Sequence, residues 1–321
     1  MKRLLPLIAL VLLSACTGGS DKPVLRVYAA VDQEVAEQVL AEFTEQTGIV
    51  VEAVYDSEAA KTAGLAKRLE LEKDQPNADV WWSGESLYTA MLDSKGLFEK
   101  RTKGENWVAC SARIRVLVYD ESRWPGDVPT PDSVDVLAAP ALRGKCVIAN
   151  PLFGTSATQF AALHARPEGA RLLERIKAND VQIVASNSAV VRAVSSGDAL
   201  LGISDTDDVL IAQAETPSLR FVIPDQAEGQ RGTVMTPATA AVVRNCVHSA
   251  EARKLVNWLA GKAGEGAMAR SMMRTLPIAS EAEPPSELPA REKLRLMPVD
   301  YAKLAADWDK QLGFLKSTFQ P

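Results

Sequence analysis

With 321 residues, 47% of them hydrophobic and 24% charged, the chain is long enough for two domains with cores of their own and too apolar for a disordered tail. Its formal charge of -5 leaves no basic footprint and argues against a nucleic-acid partner.

The first segment, "MKRLLPLIALVLLSAC", sets Lys2 and Arg3 before an apolar run from Leu4 to Leu13. That run is too short to span a bilayer as a mature helix and is shaped as an export signal. It ends in Leu13-Ser14-Ala15-Cys16, which resembles a bacterial lipobox. The resemblance implies a signal peptide over 1–15 and a lipid on Cys16, with 16–23 as a flexible tether. The mature chain is then expected from Val24 onward, in the cell envelope or periplasm, held to the membrane through its lipid alone.

From Val24 the pattern alternates. "VLRVYAA" (24–30) reads as a strand, and "VAEQVLAEFTEQTG" puts Val35, Val39, Leu40 and Phe43 on one helical face before Gly48 stops it. "IVVEAVY" (49–55) is a strand, "AGLAKRLELEKDQP" an amphipathic helix and "ADVWWS" (78–83) a short strand, with Trp81 and Trp82 as core and wall. A second round follows: the strand "SARIRVLVY" (111–119), a helix within 130–144, the strand "KCVIANP" (145–151), and a loop and helix from Gly154. The helix over 166–180, the strand "VQIVA", the helix "SAVVRAVSSG" and the strand "ALLGIS" continue it. Strands alternating with helices at this spacing predict an α/β fold with parallel pairing. "LRFVIP" and "ATAAVV" read as further strands, "SAEARKLVNWLAG" as a helix, 280–293 as a loop, and "DYAKLAADWDKQLGFLKS" as a closing helix.

Export places the cysteines in a compartment that permits disulfides. Cys110 and Cys146 each stand at an apolar strand-like run, so a Cys110–Cys146 pair with Cys246 left free is one expectation, and three unpaired core thiols the other.

In open α/β sheets ligands sit beyond the carboxyl ends of the strands, where loops enter helices. Gly154-Thr155-Ser156-Ala157 opens one helix, suited to an anion through backbone N–H groups and hydroxyls or, more simply, to capping. Ser186-Asn187-Ser188 opens another. At the end of "LLGISDTDDVL" Asp205, Asp207 and Asp208 fall within four positions, a solvated turn or half of a site. Asp32 and Glu85 follow the first and third strands. The two histidines, His164 and His248, belong to no GxSxG or HExxH arrangement, so catalytic readings find little support and the chain is expected not to be an enzyme. A hydrolase using paired carboxylates is the reading from a different class.

Together "VLRVYAAVDQEVAEQVLAEFTEQTGIVVEAVY", "NADVWWSGESLYTAMLDSKGLFE", "IRVLVYD", "GKCVIANPLFGTSAT" and "SNSAVVRAVSSGDALLGISDTDD" resemble the extracellular solute-binding proteins of ABC importers, and within them the ferric-iron-binding branch of the type II periplasmic-binding family. The resemblance implies a two-lobed α/β fold with a hinge of crossing strands. Lobe one would hold 24–108 and about 238–288, and lobe two about 109–237 and 289–321. It implies an ABC-transporter permease as partner, a monomer, and no catalytic cofactor. It assigns the anion-binding residues to Gly154, Thr155, Ser156, Ala157 and Asn187. Oxygen ligands for ferric iron, or for calcium or manganese, fall on Asp32, Glu85, Asp205, Asp207 and Asp208, with phosphate or carbonate as a synergistic anion. Where ferric-binding relatives usually carry two adjacent tyrosines this chain has Asp207 and Asp208. Those carboxylates could equally clasp the ammonium of a small organic amine, while the helix-start loop holds the phosphate or phosphonate of an aminophosphonate or phosphate ligand.

Overall fold

In the computed structural model, which describes residues 23–56, 61–278 and 281–320, strand and helix alternate from the start. The signal segment, Cys16 and the tether up to residue 22 lie outside the described residues. β1 (Val24–Ala30), α1 (Gln33–Thr47), β2 (Val50–Val54), α2 (Lys61–Leu71), β3 (Val80–Ser83) and α3 (Leu87–Ser94) come first. β1 pairs in parallel with both β2 and β3, as crossover helices require. α1 buries Val35, Ala36, Val39, Leu40 and Phe43 against them, and Gly48 ends it in the left-handed conformation.

β4 (Val108–Asp120) is 13 residues long, and its length joins the two halves of the molecule. After it come β5 (Cys146–Ala149), α4 (Gly154–His164), α5 (Gly169–Ala178), β6 (Gln182–Val184), α6 (Asn187–Ser196), β7 (Leu201–Asp205), α7 (Thr206–Gln213), β8 (Leu219–Val222) and β9 (Met235–Val242). Val108 to Ile114 of β4 pair antiparallel with β9, whereas Arg115 to Tyr119 pair with β7. The strand order is β2-β1-β3-β9-β4-β7-β5-β6, with β8 on β4. β4 and β9 are therefore the strands shared between a first half, built on β1 to β3, and a second half, built on β5 to β8.

Each half has apolar packing on both sheet faces. Leu25, Val27, Phe43, Trp82 and Leu255 fill one side of the first half, and Tyr28, Leu69, Trp81 and Phe98 the other. The two tryptophans point to opposite faces because neighbouring strand residues alternate, and both are at most 1% exposed. In the second half Ile148, Phe160, Leu173 and Trp308 form one cluster, and Val116, Val147, Val190 and Val209 the other. α8 (Ser249–Leu259) and α9 (Lys262–Arg270) cover the first half. The chain then returns beside the shared strands, where Leu276 and Ala112 exchange two backbone hydrogen bonds of 2.8 Å. α10 (Tyr301–Ala306) and α11 (Trp308–Phe319) close on the second half, with α10 also lying against α3 and the Tyr301 hydroxyl donating to the Met235 carbonyl at 3.0 Å.

The structure corrects several expectations. Residues 130–144 form two short 3-10 turns, Val134–Ala138 and Pro140–Leu142, separated by an extended Ala139; Pro140 disfavours a helical residue before it. Helices α3, α7 and α9 come in addition to those expected, and the closing helix breaks at Asp307. Cys110 and Cys146 are free, fully buried thiols, one packed in the first half and one in the second, so the Cys110–Cys146 disulfide is not formed; Cys246 is free as well. No helix among the described residues is long and apolar enough to cross a membrane.

Candidate functional site

Strand ends from both halves converge on a cavity of about 240 Å³, lined among others by Asp32, Glu85, Arg113, Gly154, Asn187 and Asp208. The second half supplies its floor. Arg115 lies directly opposite Asp205 in the β4–β7 register. It is 0% exposed, and a buried guanidinium needs both a counter-charge and acceptors for its five N–H groups. Asp205 provides the charge, accepting from Arg115 NH1 at 2.8 Å. Arg115 Nε donates to Gln159 at 2.8 Å, NH1 also to Thr155 Oγ1 and Asn187 Oδ1, and NH2 to Ser156 Oγ and the Ile203 carbonyl. The network closes on itself: the Thr155 hydroxyl donates to Asp205 Oδ2 at 2.6 Å and the Asn187 amide to the same oxygen at 2.9 Å.

Arg113, two residues along β4 and so on the same face, serves the next acid. Its Nε lies 2.9 Å from Asp207 Oδ2, a close ion pair whose N–H is not aligned for a hydrogen bond. Its NH2 lies 3.5 Å from Asp32 Oδ2. The second oxygen of Asp207 is buried with no hydrogen-bond partner, although the residue is only 5% exposed. Such an atom costs on the order of 1–3 kcal/mol unless something meets it. Asp207 and Asp208 occupy the first turn of α7, where the helix dipole favours negative charge. One oxygen each of Asp205, Asp207 and Asp208 lies within 4.8 Å of the others, spacing that can hold a cation.

Charge and burial act together here. The carboxyl groups of Asp205, Asp207 and Asp208 crowd beside the Arg113 and Arg115 guanidinium groups at the cavity, with Asp32 also facing Arg113. Burial pushes the Asp207 carboxyl up to about 6, with Asp205 and Asp32 adding to the shift and Arg113 opposing it. Burial, then Asp207 and Asp205, hold Asp208 well above the usual carboxylate range. A bound cation relieves all of these terms at once.

Glu85 lines the same cavity but is already occupied. Its carboxylate accepts from the Leu87 and Tyr88 amides at 2.7 and 3.1 Å, capping the start of α3, and from the Thr158 hydroxyl of α4 at 3.4 Å. It thus ties the two halves together, and burial pushes its carboxyl up to about 7. The anion residues divide likewise. Gly154, Thr155, Ser156 and Asn187 line the cavity. Ala157 does not: its N–H donates to the Phe153 carbonyl within α4. Gly154 sits at φ +55, where a side chain is strained, and α4 begins without a side-chain cap.

Arg113 and Arg115 are the residues that sequence reasoning passed over. Their signal was present: two arginines at alternate positions of the otherwise apolar "ARIRVLVY" must point to one face of a strand, and a buried face that takes two cations must hold acids.

Residues 25–274 match the family model described as bacterial extracellular solute-binding protein. The major ferric iron-binding protein of Neisseria meningitidis serogroup A / serotype 4A is 27% identical over 263 residues, covering 76% of this chain and 78% of that protein. Among solved structures, iron-bound HitA from Pseudomonas aeruginosa superposes with a TM-score of 0.79 at 21% identity, over 92% of this chain and 99% of its own. AfuA from Actinobacillus pleuropneumoniae, with exogenous fructose-6-phosphate bound, superposes with a TM-score of 0.78 at 18% identity, over 92% and 98%. The fold is the two-lobed α/β architecture of these proteins.

Proposed function

Because the chain belongs to the bacterial extracellular solute-binding protein family, we propose that it is the substrate-capturing component of an ABC importer and that its cargo is a hard cation, ferric iron first among them. The unpartnered, buried oxygen of Asp207 beside Asp208 and Asp205 carries this reading. Carboxylate oxygens are hard donors, suited to ferric, calcium and manganese ions alike. The cargo enters between lobe one, 24–108 and about 238–288, and lobe two, about 109–237 and 289–321, which close over it by bending at β4 and β9. A lipid on Cys16 keeps the protein at the membrane in the periplasm, where it delivers to the permease as a monomer without chemistry of its own. The named relative that binds ferric iron supports the choice of cargo. Calorimetry and metal analysis on chelator-stripped protein test it: one ferric, manganese or calcium ion per chain is expected, and no binding of any of the three ends the reading.

A second reading rests on Arg113. A guanidinium already lies 2.9 Å from Asp207, so the acid cluster accommodates a nitrogen cation, and a small organic amine or aminophosphonate fits the same charge. Thermal-shift screening after exhaustive chelation separates the two, since only the organic ligand raises the melting temperature under those conditions.

A further inference from the structure

We propose that Asp205 is a resident anion of the site, so that the cation is taken without phosphate, carbonate or another free oxyanion. This rests on the cation reading above and makes it more specific. Four side-chain donors of the second half gather on the cavity floor, Thr155, Ser156, Asn187 and Arg115, and every one of these four is engaged. The Asn187 amide nitrogen donates to Thr155 Oγ1 at 2.8 Å and Asp205 Oδ2 at 2.9 Å, while its carbonyl oxygen accepts from Arg115 at 3.0 Å and Ser156 at 3.1 Å. An amide has two donor hydrogens and two acceptor positions, so Asn187 is saturated. The one hydroxyl hydrogen of Thr155 goes to Asp205, and its oxygen accepts from Arg115 and Asn187. The hydroxyl hydrogen of Ser156 goes to Asn187.

An arriving anion therefore meets no unengaged side-chain donor among these four, and it meets a carboxylate already in the place they surround. Three of the lone-pair positions of Asp205 are taken, by Arg115, Thr155 and Asn187, out of about four that an ionised carboxylate offers. One Asp205 oxygen lies within 4.8 Å of an oxygen of Asp207 and of Asp208. Asp207 Oδ1, buried and unpartnered, is a second and independent sign that a cation belongs at that point. Asp205 thus delivers negative charge to the cation while Arg115 holds it in place, the role a free oxyanion would fill if the donors were open.

The experiment is a calorimetric titration of chelator-stripped protein with ferric, manganese(II) and calcium ions, each in buffer freed of phosphate and bicarbonate and again with either anion restored. Agreement of the two affinities within about threefold is expected. A gain of about tenfold or more on adding phosphate or bicarbonate overturns the resident-anion proposal and leaves the cation reading standing. No binding of any of the three ions under either condition removes both. Asp205→Asn adds a second arm: it keeps the shape and removes the charge. If it folds, binding in anion-free buffer falls by about tenfold or more and is partly restored by phosphate; unchanged anion-free binding counts against the proposal. If it does not fold, the wild-type comparison decides alone.

Discussion

Asp207 is pushed up to about 6, by burial first, and the unfolded chain keeps it near 4. Two consequences follow with opposite signs. Protons compete with the cation, so affinity falls as pH drops through about 6, well before ordinary carboxylates protonate; in Asp207→Asn the steepest part of that loss disappears from a pH series of titrations. In the cation-free protein the folded state binds a proton that the unfolded state does not between about pH 4 and 6. This group therefore makes the apo protein more stable as pH falls through that window, and the wild-type melting temperature gains on that of Asp207→Asn between pH 7 and 5. Arg115 predicts a larger effect. Arg115→Met leaves Asp205 buried without its counter-charge and costs about 3–5 kcal/mol in urea unfolding, whereas adding Asp205→Leu recovers much of the loss. At this scale the acids, and the pair of arginines on one strand face, were legible in the sequence, but which arginine serves which acid was not. Carboxylates at strand ends announce themselves by crowding, but the register that sets Arg115 opposite Asp205 is a long-range pairing.

The elements that hold these residues tolerate little change in volume. Gly202 in β7 faces α6, and a methyl group there would lie 2.4 Å from Val190 Cγ1 and 3.2 Å from Val147 Cγ1. Gly202→Ala is expected to cost about 1–3 kcal/mol by overpacking, read from the denaturation midpoint. The thiols offer a further check. Cys110 and Cys146 are at 0% exposure, and burial pushes Cys146 up to about 12. Of the three cysteines among the described residues, only the half-buried Cys246 is expected to react with a maleimide under native conditions, and slowly; unfolding exposes these three, with the same mass count before and after reduction. Most element types followed from hydrophobic periodicity, as in α1 and β5. The exceptions have physical causes: Pro140 cut a periodic segment into turns, and α7 went unread because its first-turn acids were read as a solvated turn or half of a site when they also suit a helix start.

For the whole molecule, the closing helices matter as much as the shared strands. Phe319 of α11 meets Phe160 of α4 edge-on with ring centroids 5.4 Å apart, and Leu315 and Trp308 share that cluster. α4 is the helix whose first turn lines the cavity. Deleting α10 and α11 removes Leu304, Trp308, Leu315 and Phe319 from their cluster and exposes the side chains they cover, Phe160 among them, at about 1.5–3 kcal/mol for each large apolar side chain no longer buried. The truncated chain is expected to lose cooperative thermal unfolding by circular dichroism, with cation binding lost alongside. The two-lobed plan was readable from alternating strands and helices together with the resemblance. The return of 271–300 beside the shared strands was not, because its contacts are isolated bridges at Leu276 and Leu296 without a periodic signature.

The closed network around Arg115 bears finally on what a cell can sense with such a receptor. A protein that needs an ion and a free anion together fills in proportion to both concentrations, and starves when either is scarce. On the proposed reading, with Asp205 as the resident anion held by Arg115, Thr155 and Asn187, occupancy would follow one concentration alone. Uptake would then keep its response when the external supply of phosphate or carbonate varies.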